Sequence, residues 1–103
     1  MYTFTVAAKL VGETRTESLD VSSILGPSDT LTSASATCAV YSGTDVAPSG
    51  VVGACTVDAV YNLVNLPLTG GVAGCIYQLV LTIVLSTGSK VMTGFLVVTP
   101  DAV

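Results

Sequence analysis

The stretch "CIYQLVLTIVLSTGSKVMTGFLVVTP", residues 75–100, decides the fold of this chain. It contains two runs rich in Val, Leu and Ile, separated by the short segment "TGSK" at 87–90. Two runs of β-forming residues around a short turn that contains glycine are typical of a β-hairpin. We therefore predict a central strand over 75–86 and a last strand over 91–100.

Both predicted strands are apolar on both of their faces. The opposing sets are Ile76, Val80 and Val84 against Tyr77, Leu79, Leu81 and Ile83 in the first strand, and Val91, Phe95 and Val97 against Met92, Leu96 and Val98 in the last. A sandwich strand with one face in water should instead alternate with polar residues. A contiguous exposed apolar patch marks an interaction site or an aggregation risk. We therefore predict an interface on the outer face of this hairpin; the plainer alternative is that an outer sheet face tolerates β-branched residues.

The remainder of the chain also carries strand signals. Tyr2, Phe4 and Val6 alternate with threonines and indicate a half-buried first strand, while residues 13–21 alternate with mostly polar character, as an edge strand does. Residues 51–66 indicate one strand, or two short ones broken near Asp58. About seven short strands separated by turns predict an all-β fold, a single antiparallel β-sandwich of the immunoglobulin-like kind. We assign 19–103 to this domain and 1–18 to an N-terminal strand or arm.

A rigid corner precedes the small-residue strand that begins at Thr30. Asp20 is a suitable N-cap for one short helical turn near 21–25. Gly26 and Pro27 are expected to end this turn, because glycine accepts the left-handed conformation and proline cannot continue a helix. In the strand that follows, an apolar face of small residues opposes serines and threonines; it consists of Ala34, Ala36, Cys38 and Val40.

Composition favours a protein whose surface is partly covered by other protein. Half of the 103 residues are hydrophobic, 10% are charged and the mean hydropathy is +0.79, whereas soluble domains carry about 25% charged residues. A membrane-spanning helix needs about 20 apolar residues, and the most apolar segment is interrupted by Gln78 and Thr82. With a net charge of −4 and three scattered basic residues, the chain has no cationic patch for nucleic acid. We expect neither a membrane nor a nucleic-acid partner.

The sequence contains no recognisable set of catalytic or cofactor-binding residues. Histidine, the commonest general base and metal ligand, is absent. Cys38 lies on the small-residue face and is expected to be a packed core thiol. A bridge to Cys75 is disfavoured, because a corner tyrosine usually comes two residues before the second cysteine, whereas Tyr77 comes two residues after Cys75 and Leu79 takes the core position. Tyr77 is a candidate corner tyrosine with a structural role. We predict no enzyme activity, no metal and no cofactor.

The segments "LDVSSILGPSDTLTSASATCAV", "LTGGVAGCIYQLVLTIVLSTGSKVM" and "TGFLVVTP" follow one another between residues 19 and 100. In order and spacing they resemble a family of small virion proteins of tailed bacteriophages with an immunoglobulin-like sandwich. The resemblance implies a fibre–tail or neck adaptor that forms a homo-oligomer and gives fibres a place to attach. It also implies a location in the virion after assembly in the bacterial cytoplasm, with copies of itself and other tail, neck or fibre proteins as partners.

Within this reading, the candidate interface residues are Tyr2, Phe4, Val6, Val80, Val84, Met92, Leu96 and Val98. The N-terminal stretch is either an arm that adds a strand to a neighbouring copy or an ordinary first strand of its own domain. Two other functions stay open. A capsid decoration protein would bind a shell lattice, and a carbohydrate-binding module would use exposed aromatics such as Tyr41 and Tyr61, although the chain has no tryptophan.

Overall fold

The computed structural model describes residues 2–4, 6, 8–10, 12–26 and 28–99, and for Tyr2 it describes the backbone. The described residues form eight strands and two short 3-10 turns. The strands are β1 (Tyr2–Thr3), β2 (Lys9–Leu10), β3 (Arg15–Asp20), β4 (Leu31–Ser42), β5 (Thr56–Asp58), β6 (Leu63–Leu68), β7 (Ile76–Leu85) and β8 (Gly88–Thr99). The 3-10 turns span Ser22–Ile24 and Pro48–Val51.

The strands form two sheets, which confirms the predicted all-β sandwich. The larger sheet has the order β4-β7-β8, with β1 and β2 both on the far side of β8, and the smaller sheet has the order β3-β6-β5. These two orders are those of the C-F-G and B-E-D strands of an immunoglobulin-like sandwich. All pairs are antiparallel except those of β1 and β2 with β8, which are parallel.

The core lies between the sheets and follows the two-residue period of the strands. The inward residues of β7 and β6 are fully buried: Tyr77, Leu79, Leu81 and Ile83 from β7, and Val64, Leu66 and Leu68 from β6. Burying one such aliphatic side chain contributes roughly 1.5–3 kcal/mol. The single chain therefore has a closed core of its own.

The predicted interface requires one face of β8 to point outward, but the structure turns that face into the core. Met92, Leu96 and Val98 are buried in the core, so their assignment to an outer interface is wrong. The cause is the pairing register, in which Leu96 lies opposite Tyr77 and Met92 opposite Leu81. Directly paired residues of an antiparallel ladder share a face, so these residues join the inward face of β7.

The corner before β4 forms as a short helical turn, but two of its details differ from the prediction. The N-cap position is Val21, and Asp20 acts from one residue earlier: its Oδ1 accepts the Ser22 N–H at 2.9 Å. Hydrogen bonds donated by the Ser22 side chain and by its N–H lower the pKa of the Asp20 carboxyl. Gly26 is not left-handed. The turn ends because Leu25 is extended, and Pro27 lies outside the described residues.

A carboxylate fixes the connection from this corner into β4. Asp29 Oδ2 accepts the Gly26 N–H at 2.8 Å, and Asp29 Oδ1 accepts the hydroxyl of Thr87 in the β7–β8 turn. The Thr87 bond is the main cause of the lowered pKa of Asp29, followed by the Gly26 bond. The corner is thereby tied to the hairpin that decides the fold.

Residues 51–66 contain two strands, β5 and the first part of β6, as one of the alternatives expected. Asp58 breaks the segment, because its Oδ1 accepts the N–H groups of Val60 and Tyr61 at 3.0 and 3.3 Å. Asn62 completes the turn at φ 56°, a left-handed conformation that asparagine adopts more readily than most residues. The β5–β6 turn therefore presents Val60 and Tyr61 to solvent.

The described residues of the N-terminal segment pair with β8 and pack on the sandwich. Phe4 packs against the core and over Gly94, where an added Cβ would come within 2.7 Å of the Phe4 ring. Val6 is buried, so its place on an outer interface is also wrong.

Lys9 is buried as well, and its Nζ donates to the carbonyls of Leu10 at 3.0 Å and Gly70 at 2.7 Å. No helix in the described part of the chain is both long and apolar enough to cross a membrane.

Candidate assembly surface

The outward side chains of β4, β7 and β8 form one continuous surface, which we call the outer face. Its apolar members are Tyr41 from β4, Ile76, Val80 and Val84 from β7, and Val91, Phe95 and Val97 from β8. Serine, threonine, alanine and glutamine side chains fill the positions between them, as at Ser35, Thr37, Ala39, Gln78 and Thr82. The alternation of strands places these residues outside while the same strands bury larger residues inside.

The apolar residues of β8 are unusually exposed for their type. Val91, Phe95 and Val97 keep 51%, 44% and 41% of their surface accessible. Val84 on β7 is also exposed, and Ile76 and Val80 are half-buried between their neighbours. Single exposed apolar residues are ordinary, but a contiguous patch of this kind is typical of an interaction site.

An aromatic pair lies at one end of the outer face. The rings of Tyr41 and Phe95 have centroids 4.8 Å apart and an interplanar angle of 68°, an edge-to-face arrangement. Their strands are separated by β7, so the two rings meet above it. Aromatic pairs of this geometry add about 0.5–1.5 kcal/mol beyond their buried area, and the pair fixes two large side chains in place on the surface.

The outer face carries no charged residue. Lys90 is the one charged residue in β4, β7 and β8, all of which are described. It lies opposite buried Ile83, and its Nζ donates to the Ile24 carbonyl at 2.5 Å. Its ammonium therefore points toward the corner and away from the outer face.

The charged residues lie instead on the smaller sheet and in the turns. At the edge of the smaller sheet, Arg15 forms ion pairs with Glu17 at 2.8 Å and with Glu13 at 3.4 Å. Asp20, Asp29, Asp45 and Asp58 each accept backbone N–H groups in turns. The molecule therefore has one charged, solvent-adapted sheet and one sheet whose outer face is neutral.

Of the residues predicted for the interface, Val80 and Val84 lie on the outer face, and Phe4 is half-buried against the core. The side chain of Tyr2 lies outside the described part of the structure. The prediction missed Tyr41, Val91, Phe95 and Val97. The two-residue turn at Ser86 and Thr87 could have identified the β8 members, because it pairs Leu85 with Gly88 and so fixes every later partner. Val91, Phe95 and Val97 then lie opposite the outward residues Thr82, Gln78 and Ile76 of β7.

Tyr77 is a corner tyrosine, as expected from its place at the start of β7. Its hydroxyl donates to Asp45 Oδ2 at 2.7 Å and accepts the Val72 N–H at 2.8 Å. Burial, followed by the bond to the carboxylate, raises the pKa of Tyr77. The same bond, together with the Ala47 N–H, lowers the pKa of Asp45. This group joins the loop after β4 to the loop before β7 at one end of the sandwich.

The three cysteines are free thiols. Cys38 is buried opposite Leu79, which confirms it as a core thiol, and burial raises its pKa to about 11. Cys55 and Cys75 lie directly before β5 and β7.

The burial of Cys38 predicts slow modification by thiol reagents. In the native protein, Cys38 should be labelled by an alkylating reagent more slowly than Cys55, because Cys38 is buried and Cys55 is only half-buried. Burial raises the pKa of both thiols, so accessibility is the difference between them. Unfolding in denaturant should make the two rates equal. The measurement is a time course of peptide mass shifts, and native labelling of Cys38 as fast as that of Cys55 would remove Cys38 from the core.

The described residues contain neither a pocket nor a group of three histidine, cysteine or carboxylate side chains positioned to hold a metal ion. Comparison of the chain with protein-family models, curated proteins and solved structures found no match in any of the three.

Proposed function

We propose that this chain is a non-enzymatic structural protein that assembles into a homo-oligomer through its outer face. The observation that carries the proposal is a neutral, apolar outer face on a chain that already has a closed core. The resemblance of residues 19–100 to phage virion proteins supports a specific role: a tail or neck adaptor of a tailed bacteriophage that gives fibres a place to attach.

The size of the outer face is sufficient for a specific interface. Ten residues of β7 extend for about 34 Å, and three strands at their usual spacing are about 14 Å wide. Each copy thus offers about 500 Å², and two packed faces bury about 1,000 Å², near the lower limit for a specific protein contact. Because the face lacks charge, covering it requires no desolvation of ions.

Protein fits this surface better than carbohydrate does. A sugar-binding platform needs aromatic rings in one plane, whereas the rings of Tyr41 and Phe95 are inclined by 68°. Tyr61 lies elsewhere, on the β5–β6 turn, and does not extend this surface. A capsid decoration protein would use the same face against a shell lattice, so it differs from the adaptor in having no oligomer of its own in solution.

A substitution of Phe95 by lysine tests the proposal. Phe95→Lys places an ammonium group within the contact, and we expect a smaller particle than the wild type by light scattering after size exclusion. Tyr61→Lys is the matched control, because Tyr61 is an exposed aromatic residue outside the outer face and its substitution should leave the mass unchanged.

Two results would contradict the proposal. Equal masses for the wild type and Phe95→Lys would show that the outer face is not the contact. A wild-type monomer at every concentration would exclude a self-assembling adaptor and favour the decoration protein.

A further inference from the structure

The larger sheet ends in an open edge at β4. β7 is the only hydrogen-bonded neighbour of β4 among the described residues. The chain after β4 crosses to the smaller sheet, where β5 pairs with β6. The side of β4 away from β7 therefore presents a row of backbone N–H and C=O groups that no described strand pairs. Such a row is a template for another strand.

The other three sheet edges each have a feature that prevents pairing, whereas no described strand covers the open edge of β4. β3 carries Arg15 and Glu17, with Glu13 just before it. β5 is only three residues long, and β8 is covered by β1 and β2. Charges, short length and coverage are the usual ways in which proteins prevent edge pairing. β4 has twelve residues with no charge, no proline and no glycine.

We infer that β4 pairs antiparallel with β4 of a second copy of this chain, across a two-fold axis perpendicular to the sheet. This inference rests on the proposed self-assembly and adds a second contact, at the edge of the larger sheet, to the one through the outer face. A two-fold axis brings each strand against itself, so any charge on β4 would meet a like charge; β4 has none. Ladder irregularities lie between Leu31 and Ser33 and between Val40 and Ser42, which leaves 33–40 regular for pairing.

The side-chain alternation restricts the register of this contact. Opposed residues of antiparallel strands share a face, so the axis passes beside a residue, and in a contact centred on 33–40 this residue is Ala36 or Thr37. Ala34 and Ala36 face the core but stay partly exposed at the open edge, and the second copy would cover them. The two outer faces would then join into one neutral surface of double width.

Hydrogen exchange of the β4 amides tests this contact. Alternate amides of 33–40 bond to β7 and are protected at all concentrations, whereas the others point to the open edge. We expect the edge-pointing amides to exchange fast in dilute protein and to lose this fast exchange in assembled protein. Edge-pointing amides that exchange equally fast in both states would overturn the inference, and the proposed assembly through the outer face would still stand.

A matched pair of variants completes the test. Thr37 and Thr16 are exposed threonines on the edge strands β4 and β3. Thr37→Lys brings two ammonium groups together near the axis, so we expect loss of concentration-dependent protection, whereas Thr16→Lys should behave as the wild type. Retained protection in Thr37→Lys would overturn the inference. A wild-type protein that is monomeric throughout would overturn both this contact and the proposed function.

Discussion

We expect replacement of Leu96 with lysine to unfold the protein, whereas the same replacement at the neighbouring Phe95 should leave it folded. Leu96 is fully buried opposite Tyr77, and Phe95 lies on the outer face. Lysine at 96 removes a core side chain and leaves an ammonium group without a partner in the apolar core, which costs at least about 3 kcal/mol. Small domains have total stabilities of only about 5–15 kcal/mol, so this loss is a large share.

The comparison needs only thermal unfolding followed by circular dichroism. We expect a cooperative transition for the wild type and for Phe95→Lys, and no native baseline or a much lower Tm for Leu96→Lys. Since the two substitutions are adjacent and chemically identical, their difference reports which face of β8 is buried. A Leu96→Lys protein as stable as the wild type would show that β8 is turned the other way.

Removing the Tyr77 hydroxyl has the second large effect. In Tyr77→Phe, the Val72 N–H loses its acceptor and Asp45 loses its hydroxyl donor. We expect a loss of about 1 kcal/mol in the free energy of unfolding at neutral pH, because the hydroxyl of the buried Tyr77 ring no longer makes its hydrogen bonds, while its partners lie near the surface and can bond to water. Urea unfolding measures this loss, and an unchanged midpoint would show that the corner contributes nothing to stability.

The effect of Tyr77→Phe should shrink in acid. The folded pKa of Asp45 lies below its ordinary value of 3.8, chiefly because Tyr77 donates to it. A carboxyl with a lowered pKa stabilises the fold above its unfolded pKa, and this contribution disappears as the pH falls through the folded pKa. The gap between wild type and variant should therefore be widest at neutral pH and narrower below 3.8. A gap that is constant with pH would show that the Asp45 carboxylate plays no part in it.

The β7–β8 hairpin, the small-residue face of β4 and the break at Asp58 could be predicted from the sequence, because each depends on local turn chemistry and a two-residue period. The inward face of β8 could not be predicted from its own residues, since Met92, Leu96 and Val98 are no more apolar than Val91, Phe95 and Val97. Pairing with β7 decides the matter. The buried Lys9 was also unforeseen, because its acceptor at Gly70 is distant in sequence.

The candidate surface could likewise be predicted from the sequence only in part. Its apolar character was evident from two strands without polar alternation, but its members depend on the register of three strands. Tyr41 contributes through a ring contact with Phe95 that no sequence pattern indicates. The absence of charge from the outer face became visible only when Lys90 was placed on the inner side, with its Nζ on the Ile24 carbonyl.

Hydroxyl-radical footprinting of dilute and assembled protein, read by mass spectrometry, tests most directly whether the outer face is covered on assembly. Tyr41 and Tyr61 are similarly exposed in the single chain, at 65% and 70%, but only Tyr41 lies on the outer face. We predict that assembly strongly reduces the oxidation of Tyr41 and Phe95 and leaves that of Tyr61 unchanged. Oxidation of Tyr41 and Phe95 that is the same in dilute and concentrated protein would contradict the account.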